Sequence, residues 1–194
     1  MNLRKSFLLM TVLFGLSACA GLPRMASSSD PLSSQEHLTL AGSYLSHGER
    51  KLAQQQYEMT LDKEPRSIPA LVSLGNIAFE DNDLKKAKSY FQRALKENPQ
   101  NAVVINNLAM IDVSENKRLD QAQLMLEKAL PTAGPAAPYL LDTLANIAIQ
   151  QGRFTDAKLA LDQADAGVPA SDVIFHKHIR DTREKMNRLS IQVK

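Results

Sequence analysis

One spacing dominates this chain. Leu40-Ala41, Leu74-Gly75, Leu108-Ala109 and Leu144-Ala145 follow one another at steps of 34, 34 and 36 residues. Other landmarks keep the same register. A small residue recurs as Ala53, Ala87, Ala122 and Ala157, and four positions later a large apolar one as Tyr57, Phe91, Leu126 and Leu161. Thr60, Ala94, Ala129 and Ala164 follow three residues on, and closing prolines stand at Pro65, Pro99 and Pro169. A period of this length belongs to stacked helical hairpins, each of which buries its apolar face only against its neighbours. The small residues let the two helices of a hairpin approach closely, and the large ones fill the space between successive units.

Turn chemistry supports the same division. Gly48-Glu49 and Gly152-Arg153 supply glycine for a tight helix-helix connection, and Asp81-Asn82-Asp83 serves that end in the second unit. Helices are expected near 34–47, 50–63, 67–80, 84–97, 101–114, 118–130, 137–151 and 154–166. The third unit departs from the pattern: Glu115-Asn116-Lys117-Arg118-Leu119 carries one extra turn residue, and Pro131-Thr132-Ala133-Gly134-Pro135 replaces a single closing proline. The stack is expected to continue there with a local change of angle. After Pro169, Ser171-Asp172 reads as the N-cap of a last helix reaching about Leu189. Its Val173, Ile174, Ile179 and Met186 are expected to cover the open end, with Arg180, Arg183, Glu184, Lys185 and Arg188 in water.

In period and landmarks the chain resembles the tetratricopeptide repeat proteins. The resemblance implies an all-α fold, a right-handed solenoid of about four helix-turn-helix repeats at residues 34–67, 68–101, 102–137 and 138–169, closed by a capping helix and tail at 170–194. It also implies a concave binding face lined mainly by the first helix of each unit. Carried over position by position, that face comprises Thr39, Gly42 and Leu45, then Val72, Ser73, Asn76 and Phe79. Asn106, Asn107, Met110 and Val113 follow in the third unit, and Tyr139, Asp142, Thr143, Asn146 and Ile149 in the fourth. The amides of Asn76, Asn106, Asn107 and Asn146 can donate to and accept from an extended backbone. Phe79, Met110, Tyr139 and Ile149 are the expected apolar anchors, and each of these positions also suits an ordinary solvated helix face. The lysines and arginines of a carboxylate clamp are absent from this register, which disfavours recognition of an acidic C-terminus and favours an extended, largely neutral segment or a partner's helix.

The N-terminus is a separate matter. Arg4 and Lys5 precede Phe7-Leu8-Leu9-Met10-Thr11-Val12-Leu13-Phe14-Gly15-Leu16, an apolar run too short to span a bilayer as a stable helix. It ends in Leu16-Ser17-Ala18-Cys19, which resembles the lipobox of bacterial lipoprotein signal peptides. That resemblance implies cleavage after residue 18 and acylation, palmitate included, at Cys19. Each methylene buried in the bilayer adds about 0.8 kcal/mol, so several acyl chains make a firm anchor. Residues 19–33 hold two prolines and the triplet Ser27-Ser28-Ser29, and read as a flexible tether. Ala20 after the cysteine fits outer-membrane sorting with the domain facing the periplasm; an inner membrane or a Gram-positive cell membrane stays open.

Composition and motif content narrow the function. At 194 residues with 44% hydrophobic content the chain can bury a real core. Loss of residues 1–18 removes Arg4 and Lys5 from the 23 basic residues and leaves 21 of each sign, so a nucleic-acid binder is disfavoured. Cys19 is the only cysteine, which leaves no disulfide framework or catalytic thiol beyond it. His176 and His178 fall on different helix faces and His37 and His47 lie far away, so the histidines read as solvated or partly packed rather than as metal ligands. No phosphate loop, HExxH or Gly-x-Ser-x-Gly occurs. The expectation is no enzyme, no cofactor, no metal and no small-molecule substrate.

In whole-chain layout the sequence resembles the small tetratricopeptide lipoproteins of pilus assembly, the type IV pilotin-like and tight-adherence kinds. That likeness implies a membrane-anchored scaffold that binds protein partners in the cell envelope, as an extended segment or a helix, and assists a pilus or secretion machine. The alternative is an adaptor that regulates an envelope enzyme, such as a peptidoglycan hydrolase or a polysaccharide-export component.

Overall fold

The computed structural model describes residues 30–192. Cys19, the signal segment and most of the tether lie outside the described residues. Among those described the structure is helical and contains no strand. Four antiparallel hairpins follow one another: α1 (Ser34–Ser46) with α2 (Arg50–Lys63), α3 (Ile68–Glu80) with α4 (Leu84–Glu97), α5 (Ala102–Ser114) with α6 (Leu119–Ala129), and α7 (Ala137–Gln150) with α8 (Phe154–Ala166). A longer helix, α9 (Val173–Gln192), closes the chain. The arrangement is the right-handed solenoid with a terminal helix that the repeat implied.

Local chemistry starts and stops these helices. Ser33, the last residue of the segment read as tether, caps α1 in a full capping box with Glu36. Asp83, Asn101 and Asp172 accept the backbone N–H groups of Lys86, Val104 and Phe175 at 3.0, 3.1 and 3.0 Å. Pro69 and Pro138 stand in the first turn of α3 and α7, where a missing N–H costs nothing. Each hairpin turn places a residue at positive φ at the same register position: Gly48 (76°), Asn82 (60°), Asn116 (51°) and Gly152 (72°). These four are spaced like the leucine landmarks, and glycine and asparagine are the residues that tolerate that region.

The core is a chain of four clusters, each joining one hairpin to the first helix of the next. Ala41, Ala53 and Tyr57 meet Ala70, Leu74 and Ile77; Leu71, Ala87 and Phe91 meet Val104, Leu108 and Ile111. Ile105, Ala122 and Leu126 meet Leu140 and Ile147, and Ala145, Ala157 and Leu161 meet Phe175, Ile179 and Met186. Stability is therefore a sum over neighbours. The small landmarks Ala53, Ala87, Ala122 and Ala157 are all 0% exposed.

The third unit differs in two ways. Its extra turn residue is Arg118, itself at φ 50°. Its guanidinium pairs with Asp112, a buried carboxylate at the position held by Ala78 in α3 and Ala148 in α7. Pro131 to Pro135 forms two consecutive 3-10 turns, Leu130–Thr132 and Gly134–Ala136, that lead straight into α7. Ala133 is buried between them.

α9 occupies the place of a fifth first helix. Its buried residues Phe175, Ile179 and Thr182 repeat the positions of Leu140, Leu144 and Ile147 at a step of 35. This corrects the expected cover: Val173 and Ile174 are 66% and 85% exposed, and Phe175 is the residue buried in their stead. A helix turns by about 100° per residue, so Ile174 cannot share the face of Ile179. Arg183 also leaves the water expected for it and donates to Asp165 and Asp162 at 3.0 and 2.9 Å. Arg180 stands at the register position where Gly75, Ala109 and Ala145 admit a close second helix in the earlier units.

Candidate functional site

The first helices α1, α3, α5 and α7 lie side by side in the stack, and the helix periodicity leaves one row of each uncovered. On α3 and α5 that row builds a concavity of about 250 Å³ lined by Asn76, Phe79, Asn107 and Met110, with Glu80 and the Phe91 ring. Asn107 Nδ2 donates to Asn76 Oδ1 at 2.9 Å, a bridge between residues 31 apart in sequence. Among the described residues this leaves Asn76 Nδ2 and Asn107 Oδ1 without a protein partner. One donor and one acceptor side by side, flanked by Phe79 and Met110, match the needs of a peptide unit with apolar side chains.

The other candidates divide between this row and the next. Asn106 is only 7% exposed; its Nδ2 reaches Met110 Sδ at 3.5 Å and its Oδ1 meets no donor. Asn146 Nδ2 donates to the backbone carbonyl of Asp142 at 2.9 Å, one turn back on α7. Asp142 receives His178 Nε2 of α9 on Oδ2 at 3.0 Å. Burial pushes its carboxyl above the usual carboxylate value, against the opposing charge and hydrogen bond of His178. Tyr139 is 45% exposed and meets the Phe175 ring edge-on, centroids 4.9 Å apart.

Thr39, Gly42 and Leu45 are exposed on α1, and Val72, Ser73 and Val113 are half-buried. Thr143 is buried and donates to Tyr139 O at 3.1 Å. Ile149, expected as an anchor, is instead a core residue packed with Ala145 and Ile179. The structure thus assembles two groups: Asn76, Phe79, Asn107 and Met110 on α3 and α5, and Tyr139, Asp142 and Asn146 on α7 with Phe175 and His178 of α9.

His178 was the residue that spacing alone did not connect to the groove, since its carboxylate lies 36 residues earlier. Aligning α9 with α7 at a step of 35 puts His178 level with Thr143, and that alignment is the signal that finds it. His176 likewise meets Asp165 at 2.6 Å, and His37 is buried against Gln56 at 2.7 Å. Among the described residues no group of three or more His, Cys, Asp or Glu side chains is placed to hold a metal. No described helix is long and apolar enough to cross a membrane.

A second concavity of about 290 Å³ opens between α4 and α6, over Leu95, Ile105, Met125 and Ala129 with Lys128 at its lining. It lies where α6 runs into the 3-10 turns, so it belongs to the irregular unit rather than to the repeat. The inner row is the surface that recurs.

Residues 38–102 and 78–141 each match a tetratricopeptide repeat family, together covering more than half of the chain. The chain belongs to the tetratricopeptide repeat family. It is 24% identical over 82% of its length to a TPR repeat-containing protein of Pseudomonas aeruginosa, and 28% identical over 66% to tetratricopeptide repeat protein 8 of Mus musculus. It spans 27% and 23% of those two proteins, about a quarter of each. Among solved structures it resembles PilW, described as a widely conserved type IV pilus biogenesis factor, with TM-score 0.65 and 20% identity over 80% of this chain and 78% of that one. PilF of Pseudomonas aeruginosa gives TM-score 0.61 and 22% identity, covering 81% and 74%. At these identities the likeness is one of fold. A tetratricopeptide solenoid is a scaffold for binding other proteins, and that much holds for this chain.

Proposed function

We propose that this protein is a membrane-anchored scaffold whose inner groove holds an extended segment or a helix of an envelope protein, and that it assists assembly of a pilus or secretion machine. The observation that carries this reading is the concavity on α3 and α5, where Asn76 Nδ2 and Asn107 Oδ1 lie free between Phe79 and Met110. The amides hold a backbone without demanding a particular side chain, and the apolar pair selects for side chains on either side of it. The fold shared with PilW and PilF over about four fifths of this chain supports the pilus setting. The lipobox-like Leu16-Ser17-Ala18-Cys19 supports a lipid anchor, with the outer membrane and its periplasmic face as the proposed site.

Two measurements test it. Affinity purification from crosslinked cells, followed by mass spectrometry, is expected to recover a pilus or secretion component with the parent chain and to lose it with Asn76→Ala plus Asn146→Ala. Full recovery with a folded double variant shows that the groove is not the binding surface. Cys19→Ala is expected to abolish acyl labelling and release the protein from the membrane fraction; a labelled, membrane-bound variant ends the lipid-anchor reading.

A further inference from the structure

The second helices also follow one another along the stack, and the crevices between them are comparable position by position. Between α2 and α4 the crevice is lined by Gln54, Leu74, Ala78, Lys86 and Tyr90 and holds about 100 Å³. One unit on, the same register positions are Lys88, Leu108, Asp112, Gln121 and Met125, and the concavity between α4 and α6 holds about 260 Å³. The difference is written in the side chains. Tyr90 packs its ring against the core cluster of Ala41, Tyr57 and Leu74, whereas its counterpart Met125 is slimmer and flexible. The concavity of about 290 Å³ described above shares Leu95 and Met125 with this one, so the two are continuous, over a floor of Ile105 and Leu108.

The rim of this groove is basic. α4 carries Lys85, Lys86, Lys88, Arg93 and Lys96 against one acid, Glu97, whose carboxylate pairs with Arg66. The carboxylate in the lining, Asp112, is taken by Arg118, with Lys88 farther off at 3.7 Å. The acids of α6 are spent on the opposite side: Asp120 accepts from Gln151 at 2.7 Å, and Glu127 accepts from Gln123, which also holds Arg153 of the next unit. Lys128 lines the groove and has neither an ion pair nor a hydrogen bond among the described residues. Lys88 and Gln121 line one end together, and Lys128 follows Gln121 by about 10 Å of helix rise.

We infer that the α4–α6 groove is a second docking surface, and that it receives an acidic amphipathic helix of a partner protein. The apolar face of that helix lies on Leu95, Ile105 and Met125, and its carboxylates point to Lys88 at one end and Lys128 at the other. Apolar residues at i, i+3, i+4 and i+7 of a helix extend over about 10 Å, which is the distance along α6 between the two basic ends. Methionine suits such a wall because it repacks around different side chains. The rim charges favour an acidic partner over a basic one and speed its encounter, while the apolar floor supplies the contact area. This surface shares no lining residue with the inner concavity on α3 and α5, so both can be filled at once.

The test uses the full chain with isotope-labelled side-chain methyl groups, titrated with the acetylated and amidated peptide Glu-Glu-Leu-Ala-Gln-Leu-Leu-Gln-Ala-Leu-Glu-Glu and its counterparts with glutamine or lysine in place of every glutamate. The glutamate peptide is expected to shift the methyl resonances of Leu95, Ile105 and Met125, and to bind about tenfold or more tightly than the glutamine peptide, with the lysine peptide weaker still. Lys128→Glu is expected to bring the glutamate peptide down to the glutamine level. The comparison of peptides on the parent chain holds whether or not that variant folds. Equal affinity of the glutamate and glutamine peptides overturns the acidic occupant, and absence of shifts with every peptide overturns the surface. Shifts at Met110 and the side-chain amides of Asn76 and Asn107 instead would place the peptide in the inner groove, which overturns this surface and leaves the inner one standing. Shifts of Leu95 and Met125 by phosphatidylglycerol vesicles, with none from the peptides, would assign the groove to a lipid surface and overturn the helix.

Discussion

A Cβ placed on Gly75 would lie 2.7 Å from Cδ1 of Phe91, inside the closest approach of real carbon atoms. Gly75 stands where Ala41, Ala109 and Ala145 occupy the other units, and Phe91 is 1% exposed with packing on every side. The glycine is therefore required by its neighbour and not by its own backbone, which is helical.

Gly75→Ala is expected to destabilise the protein by about 1–3 kcal/mol, although alanine is the better helix former by about 1 kcal/mol. Gly42, with nothing within 4 Å of its absent Cβ, is the internal contrast. Gly42→Ala should stabilise by about 0.5–1 kcal/mol. Urea denaturation of the two variants measures both. Equal effects at the two positions would refute the packing account.

Asp112 and Arg118 form a unit that neither residue explains alone. Arg118 Nε lies 3.1 Å from Asp112 Oδ1 and an Nη2 contact closes the pair; Lys88 stands farther off, at 3.7 Å. Arg118→Met is expected to lower the unfolding midpoint, because it leaves a buried carboxylate beside one distant cation. Asp112→Ala with Arg118→Met should recover most of the loss, since α3 and α7 carry alanine at that position. A double variant no more stable than Arg118→Met argues against this.

The attachment of α9 depends on pH through His176, Asp165 and Asp142. The hydrogen bond with Asp165 raises His176 above its ordinary 6.5, with Pro169 O, Asp172 and Asp165's charge adding to it. That contribution is whole below 6.5 and is lost as pH rises through the raised value. Asp165 is lowered from 3.8, first by its bond with His176 and then by Arg183, so its share is lost only as pH falls through the depressed value. Asp142 runs the other way: raised by burial, it favours the folded state more as pH falls toward 3.8. α9 is therefore held most firmly between the carboxylate range and 6.5, and loosens as pH rises from there through the raised value of His176. Amide hydrogen exchange, corrected for intrinsic rates, should show slower exchange in α9 at about pH 5.5 than at about pH 8. His176→Gln should remove most of that difference, and its persistence would rule out this mechanism.

Much of this molecule is legible from residue order alone. The 34-residue step, the alanines 0% exposed at each hairpin contact and the turn residues Gly48, Asn82, Asn116 and Gly152 all follow from rules that act within a few residues. Helix period, cap chemistry and positive φ need no knowledge of distant neighbours, so the elements fall within a residue or two of expectation up to α8.

Tertiary structure decided the rest, because the groups concerned meet only once units stack. Asn76 and Asn107 are 31 residues apart, and Asp142 and His178 are 36 apart, yet each pair shares a hydrogen bond. The run Val173-Ile174-Phe175 turns its three apolar residues to different sides of the helix; packing on Ala145 and Leu161 took the side of Phe175 and left Ile174 in water. Ile149 was drawn from the groove into the core by the same packing. Residue order thus determined the repeat and the row that faces inward, while stacking determined which groups on that row are already paired with one another.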